Sequence, residues 1–168
     1  MPGSDAADNA VQSNIVSVGY RAPSSFPPSG NTYRVTSVNA GKVLDAINCG
    51  TGNGTRIDLW SSLGNNCQRW TFTNIGNGNY NIKNVNSGTL LDVVNCGWAD
   101  GTLVDLWASL GNTCQQWNII PTGGDRYEIV SVNSGMVLDD EYCAAANGAV
   151  ARLWQWLNNA CQEWTIAS

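Results

Sequence analysis

The 168-residue chain contains no histidine. Catalytic triads of the Ser-His-Asp kind and metal centres built on imidazole are thereby excluded. Charge is also scarce: 12% of residues are charged and the formal net charge is −5. The 8 Lys and Arg residues are scattered, with no basic run. Neither nucleic acid nor an anionic membrane is therefore an expected partner. No apolar run is long enough to span a bilayer. The opening stretch MPGSDAADNA has neither the basic nor the apolar segment of a secretion leader, so no signal peptide is expected in it. Apolar residues nowhere recur at helical spacing, so little helix is expected. No Cys-x-x-Cys pair occurs, and Asp139–Tyr142 (DDEY) fits no calcium loop, so neither metal nor cofactor is expected.

What the chain does have is repetition. CQRW at Cys67–Trp70 returns as CQQW at Cys114–Trp117 and as CQEW at Cys161–Trp164, each 47 residues after the last. Tyr33, Tyr80 and Tyr127 keep the same step, as do Asn39, Asn86 and Asn133, and Gly54, Gly101 and Gly148. Leu44-Asp45 returns as Leu91-Asp92 and Leu138-Asp139, and Leu59-Trp60 as Leu106-Trp107 and Leu153-Trp154. Self-similarity at this period marks a repeat architecture. Each copy reads as four short strands, YRVTSV, KVLD, RIDLW and QRWTFT in the first, separated by Gly/Asn-rich turns. An open stack of three copies would leave raw sheet edges. Closing them around a threefold axis removes most edges, and the expected fold is an all-β β-trefoil with pseudo-threefold symmetry. Its repeats are residues 33–79, 80–126 and 127–168, within a domain of 31–168. Residues 1–30 lie outside the repeat; YRAPSSFPPSG reads as a linker, or as an arm that docks through Tyr20 and Phe26.

Six cysteines fall as Cys49/Cys67, Cys96/Cys114 and Cys143/Cys161, 18 residues apart within each pair. In an acidic, Gly/Asn-rich chain this points to disulfides and an oxidising, extracellular setting. Bridges within the copies fit the symmetry, and so would Cys67–Cys96, Cys114–Cys143 and Cys161–Cys49. A loop of the within-copy size would stabilise by ~3 kcal/mol per bridge.

Strand alternation separates two kinds of tryptophan. Trp70, Trp117 and Trp164 are in phase with Phe72, Ile119 and Ile166 and belong to the core. With Ile57 and Leu59 inward, Asp58 and Trp60 share the outer face, roughly 7 Å apart along the strand. Asp105 and Trp107 repeat this. An outward indole beside a carboxylate suits a pyranose, whose C–H face stacks while its hydroxyls seek charged acceptors. Asp45 and Asp58 are expected to be solvated, which leaves no general acid and argues against a glycosidase.

These Gln-x-Trp repeats, each with Leu-Asp upstream and Leu-Trp between, resemble the ricin-B-type lectins and the family 13 carbohydrate-binding modules from Thr32 onward. The resemblance implies one shallow sugar pocket per copy. By position, Asp45 would accept from sugar hydroxyls, Trp60 would stack, Asp58 would reach a further hydroxyl, and Gln68 would orient Asp45 and tie its loop. Asp92, Trp107, Asp105 and Gln115 take these roles in the second copy, and Asp139, Trp154 and Gln162 in the third. Galactose-binding relatives often carry Asn where this chain has Cys67, Cys114 or Cys161, and Asn48 or Asn95 could replace that contact. In the third copy Arg152 stands in place of Asp58 and is placed to pair with Asp139. Trp98 has no aromatic counterpart and would enlarge the second site or cover the core. The expected function is non-catalytic binding of galactose-, arabinose- or xylose-containing glycans by a monomer, as a module linked to a catalytic domain. A free-standing lectin and a trefoil protein-interaction or inhibitor domain are the alternatives.

Overall fold

The computed structural model describes residues 26–168. Twelve strands follow one another: β1 Thr32–Ser37, β2 Val43–Ala46, β3 Thr55–Trp60, β4 Trp70–Gly76, β5 Asn79–Asn84, β6 Leu90–Val93, β7 Val104–Trp107, β8 Trp117–Gly123, β9 Arg126–Ser131, β10 Val137–Asp140, β11 Ala149–Trp154 and β12 Trp164–Ala167. The described residues contain no α-helix, only six single 3-10 turns. Three of these turns, Asn66–Gln68, Thr113–Gln115 and Ala160–Gln162, end on the glutamine where a strand was expected to start. The Asn65 side chain accepts from Cys67 N at 3.1 Å and holds the chain in a turn until Trp70, a competition that short polar side chains commonly win.

Six strands pair in a ring that closes on itself, β1 with β4, β4 with β5, β5 with β8, β8 with β9, β9 with β12 and β12 with β1. The other six form the hairpins β2–β3, β6–β7 and β10–β11. Strand β3 also pairs with β7 and β11, so the three hairpins meet one another. The arrangement is all-β and β-trefoil-like. Few free strand edges remain, which is the advantage anticipated for closure.

One apolar cluster joins ring and hairpins, with Val35, Phe72, Ile82 and Ile129 from the ring and Leu44, Leu91 and Leu138 from the hairpins. Trp70, Trp117 and Trp164 are fully buried in it. Each indole N–H would be costly without an acceptor, and each finds one: Leu44 O at 3.0 Å, Leu91 O at 3.0 Å and Leu138 O at 3.1 Å. The core tryptophans thereby fasten the ring strands to β2, β6 and β10. At the ring's edge Phe26 stacks on Tyr127 with centroids 4.9 Å apart and leans on Tyr33. Gly30 N adds a 2.7 Å bond to Phe72 O. The segment Phe26–Gly30 thus lies on the domain, while Tyr20 is outside the described residues.

The disulfides are Cys49–Cys67, Cys96–Cys114 and Cys143–Cys161, all within a copy. Each ties the 3-10 turn after β2, β6 or β10 to the turn before the core tryptophan.

Candidate functional site

Each hairpin carries a pocket on its outer face. In the first, Asp45 on β2 and Asp58 on β3 are cross-strand partners. Antiparallel partners lie on the same face with close Cβ atoms, so the two carboxyls meet. Trp60, two residues beyond Asp58, is 38% exposed and forms one wall. The turn Ile47–Cys49 forms the opposite side and Leu63 stands at the rim, enclosing about 280 Å³. The second pocket repeats this with Asp92, Asp105, Trp107, Asn95, Cys96 and Leu110, and is larger at about 360 Å³. Trp107 is 37% exposed. Asn48 and Asn95 line their pockets, at the tip of the disulfide-bound turn. Trp98 is 70% exposed; it neither covers the core nor lines the second pocket.

The carboxyls are not solvated as the sequence suggested. Asp58 is 6% and Asp105 4% exposed, and Asp45 and Asp92 are also buried. Alternation assigns a face to a residue but is blind to what closes over that face; here indole, disulfide turn and the neighbouring strands do so. Two buried carboxylates side by side repel each other, and one therefore retains a proton. Desolvation, reinforced by the hydrogen bond and charge of Asp45, pushes Asp58 up to about 7. Asp105 is likewise pushed up to about 7 by desolvation and by Asp92, with Arg56 pulling the other way. Asp45 and Asp92 are raised by burial and partly relieved by bonds from the protonated partner and from Gln68 or Gln115. At the floors of these two pockets, burial and the neighbouring carboxyl thus favour the protonated form of Asp58 and Asp105.

The glutamines bind two things at once. Gln68 Nε2 donates to Ser61 O at 3.0 Å while its Oε1 accepts from Leu63 N at 2.7 Å, closing the loop that carries the rim leucine. Gln115 does the same with Ala108 O and Leu110 N, and Gln162 with Gln155 O and Leu157 N.

The third pocket is partly filled by its own chain. Arg152 Nε donates to Asp139 Oδ2 at 2.9 Å, and its guanidinium carbon lies 4.2 Å from the Trp154 ring centroid and 5.0 Å from that of Tyr142. Glu141 adds a contact at 3.8 Å. The cation occupies the indole face where the other two pockets are open, leaving about 230 Å³. The next acid, Asp140, is fully buried where the other copies have Ala46 and Val93, and burial pushes it up to about 6.

Sequence reasoning within one copy missed the contributions of the other copies. Asn147 Oδ1 accepts from Ser61 N at 2.8 Å, Asn53 Oδ1 from Ala108 N at 2.8 Å, and Asp100 Oδ1 from Gln155 N at 2.9 Å. Beside them Gly148, Gly54 and Gly101, at φ near +90°, bring backbone against the indoles of Trp60, Trp107 and Trp154. A positive φ with a ring alongside favours glycine, which explains that repeat. From the third direction Asn86, Asn133 and Asn39 donate to Cys49 O, Cys96 O and Cys143 O, bracing the disulfide turns. The recurrence of these residues was the available signal; their targets lie in other copies and had no sequence signature.

The strand pairing also sets a row of three cross-strand neighbours beneath or beside each pocket. In the first it is Asp45–Asp58–Val150, in the second Asp92–Asp105–Arg56, in the third Asp139–Arg152–Leu103.

The chain belongs to the ricin-type β-trefoil lectin domain-like family, whose sequence model matches residues 24–107 and 113–168. Among solved structures, the designed threefold-symmetric protein ThreeFoil superposes with a TM-score of 0.81 at 29% identity, over 82% of this chain and 98% of that one. An exo-β-1,3-galactanase from Clostridium thermocellum matches with a TM-score of 0.81 at 28% identity, over 83% of this chain but only 30% of the galactanase. The ricin B-like lectin of Macrolepiota procera, solved with lactose, matches with a TM-score of 0.67 at 27% identity, over 83% and 96% of the two chains. No curated protein matches the chain.

Proposed function

We propose that the chain is a non-catalytic carbohydrate-binding domain, three copies around a pseudo-threefold axis, with two working pockets. Trp60 and Trp107 stack the sugar, and Asp45 and Asp92 accept its hydroxyls. Asp58 and Asp105 hold the acceptor carboxylates through a shared proton, and Gln68 and Gln115 fix their orientation. Arg152 substitutes for a ligand at Asp139 and Trp154. The observation that carries this reading is the open indole face directly above a carboxyl pair, present twice and closed the third time. The disulfides agree with an extracellular setting, and no helix among the described residues is long and apolar enough to cross a membrane.

The raised Asp58 removes solvation as an argument against glycoside cleavage, and geometry replaces it. Retaining and inverting glycosidases separate their carboxyls by about 5 Å or more. Asp45 and Asp58 are direct cross-strand partners on one face, which sets their carboxyls side by side and not on opposite sides of a glycosidic bond. The likeness to part of a galactanase favours an accessory module that brings a hydrolase to galactose-, arabinose- or xylose-containing polysaccharide. The lactose-bound lectin, matched over nearly its whole length, supports a free-standing lectin as second reading.

Shallow sites of this kind bind at about millimolar Kd, near −4 kcal/mol, and two sites on one rigid body gain by acting together on a polymer. Affinity electrophoresis in gels of arabinogalactan, arabinan and xylan tests the assignment. The parent chain is retarded by at least one, whereas the W60A/W107A double variant migrates freely with an unchanged circular dichroism spectrum. Retardation that survives the double change removes the two indoles from the site.

A further inference from the structure

We propose that the second pocket selects a negatively charged sugar, a uronic acid residue, through Arg56, while the first pocket takes a neutral one. This rests on the carbohydrate reading above and assigns the two pockets different ligands. Arg56 belongs to the first copy but lines the second copy's pocket, together with Asp92, Asp105 and Trp107. Its Cα partner across the ladder is Asp105, so its side chain rises from the same face as the carboxyl pair. It is exposed, and both ion pairs among the described residues belong to Arg152. A planar fork of donors is thus presented to solvent at the rim, the geometry that takes up a carboxylate through two parallel bonds.

The equivalent residues differ. Val150 occupies this place beside Asp58 and does not line the first pocket, and Leu103 occupies it beside Arg152. A pyranose resting on Trp107 with hydroxyls on Asp92 turns its remaining substituents toward the rim, where Arg56 stands and the cavity is larger. In the first pocket the same carboxylate would face the acid pair with no cation to offset it. Selection therefore acts in both directions, attraction at one site and repulsion at the other. The cation is felt at the pocket floor, since its charge is among the influences on Asp105.

The test follows the indole N–H signals of Trp60 and Trp107 in the full chain by two-dimensional NMR. The titrants are methyl glycosides of glucuronic acid, galacturonic acid, galactose 6-sulfate, galactose, arabinose and xylose. Uronates are expected to move Trp107, and neutral sugars Trp60. Arg56→Met weakens uronate binding at Trp107 about tenfold, the size of one charge-assisted contact, without changing neutral-sugar titration at Trp60. Val150→Arg brings uronate response to Trp60. A Trp107 signal that favours neutral sugars, or a uronate titration indifferent to Arg56→Met, overturns the proposal and leaves Arg56 as a counter-charge for Asp105. Stronger binding of the sulfate ester than of either uronate also overturns it, reassigning Arg56 to sulfate. If no sugar moves either indole, the carbohydrate reading itself fails and takes this one with it.

Discussion

The first and third pockets have the same hairpin, the same glutamine brace and the same disulfide turn, yet one is open and the other is occupied by its own chain. The difference centres on one floor position, Asp58 against Arg152. With an acid there, the floor holds a proton and leaves the indole free. With a cation there, the pocket supplies its own counter-ion and its own stacking partner. An open pocket and a structural ion pair are therefore two outcomes of one scaffold, chosen by the sign of a single side chain.

The largest effect expected from breaking this comparison is at Arg152. Arg152→Ala strands Asp139 in a buried position and should cost about 3 kcal/mol, seen as a lower urea midpoint. Sugar binding at Trp60 and Trp107 should persist. A loss below about 0.5 kcal/mol would mean that the pair is not the buried plug described.

Next in size is the pH response of the acid pairs. Asp58 titrates near 7 in the folded chain against 3.8 ordinarily. Between those values the folded chain keeps a proton that the unfolded chain has released. Stability contributed by this group is thus fully present at low pH, falls as pH rises from about 4 to 7, and is flat above. Asp58→Asn keeps a donor toward Asp45 without the charge. It should match the parent at pH 4 and exceed it by roughly 1–2 kcal/mol at pH 8, the solvated pocket mouth trimming the full linkage value. Asp105→Asn should gain less, because Arg56 already eases the ionisation of Asp105. Urea titrations across this range decide it, and an unaltered slope in the variant would show that no proton is shared.

The smallest effect concerns what backs the indole. Gly148, at φ +91°, lies against Trp60 although it belongs to the third copy. Gly148→Ala should cost about 1 kcal/mol and weaken sugar binding at Trp60 alone, since Trp107 leans on Gly54 instead. Equal losses at both indoles would place Gly148 in the general fold and not in the first pocket.

Much of this was legible in the chain itself. The strict step from Cys67 to Cys114 to Cys161 carries the repeat, and the phase of Trp70 with Phe72 separates core indoles from outward ones. The substitution of Arg152 pointed to an ion pair with Asp139, which the structure contains at 2.9 Å. What was not legible is whatever passes between copies. The burial of Asp45 and Asp58 depends on what packs over the strand, and periodicity within a strand does not reveal that. Arg56 read as an ordinary strand residue because its partner, Asp105, lies in the next copy. The disulfide pairing was also ambiguous, because two sets of bridges respect the threefold repeat.

The glycine–indole contacts and the asparagine braces have a bearing on how such a domain can change. Every pocket is supported by all three copies: the first takes its lining from its own hairpin and turns, a backing behind Trp60 and Ser61 from Gly148 and Asn147, and a strut from Asn86. Exchanging one copy for another would therefore disturb three cavities at once, and no fragment of one repeat could inherit a whole site. Single side chains can still alter one cavity, and one of them, Arg56, lies in the cavity of the neighbouring copy.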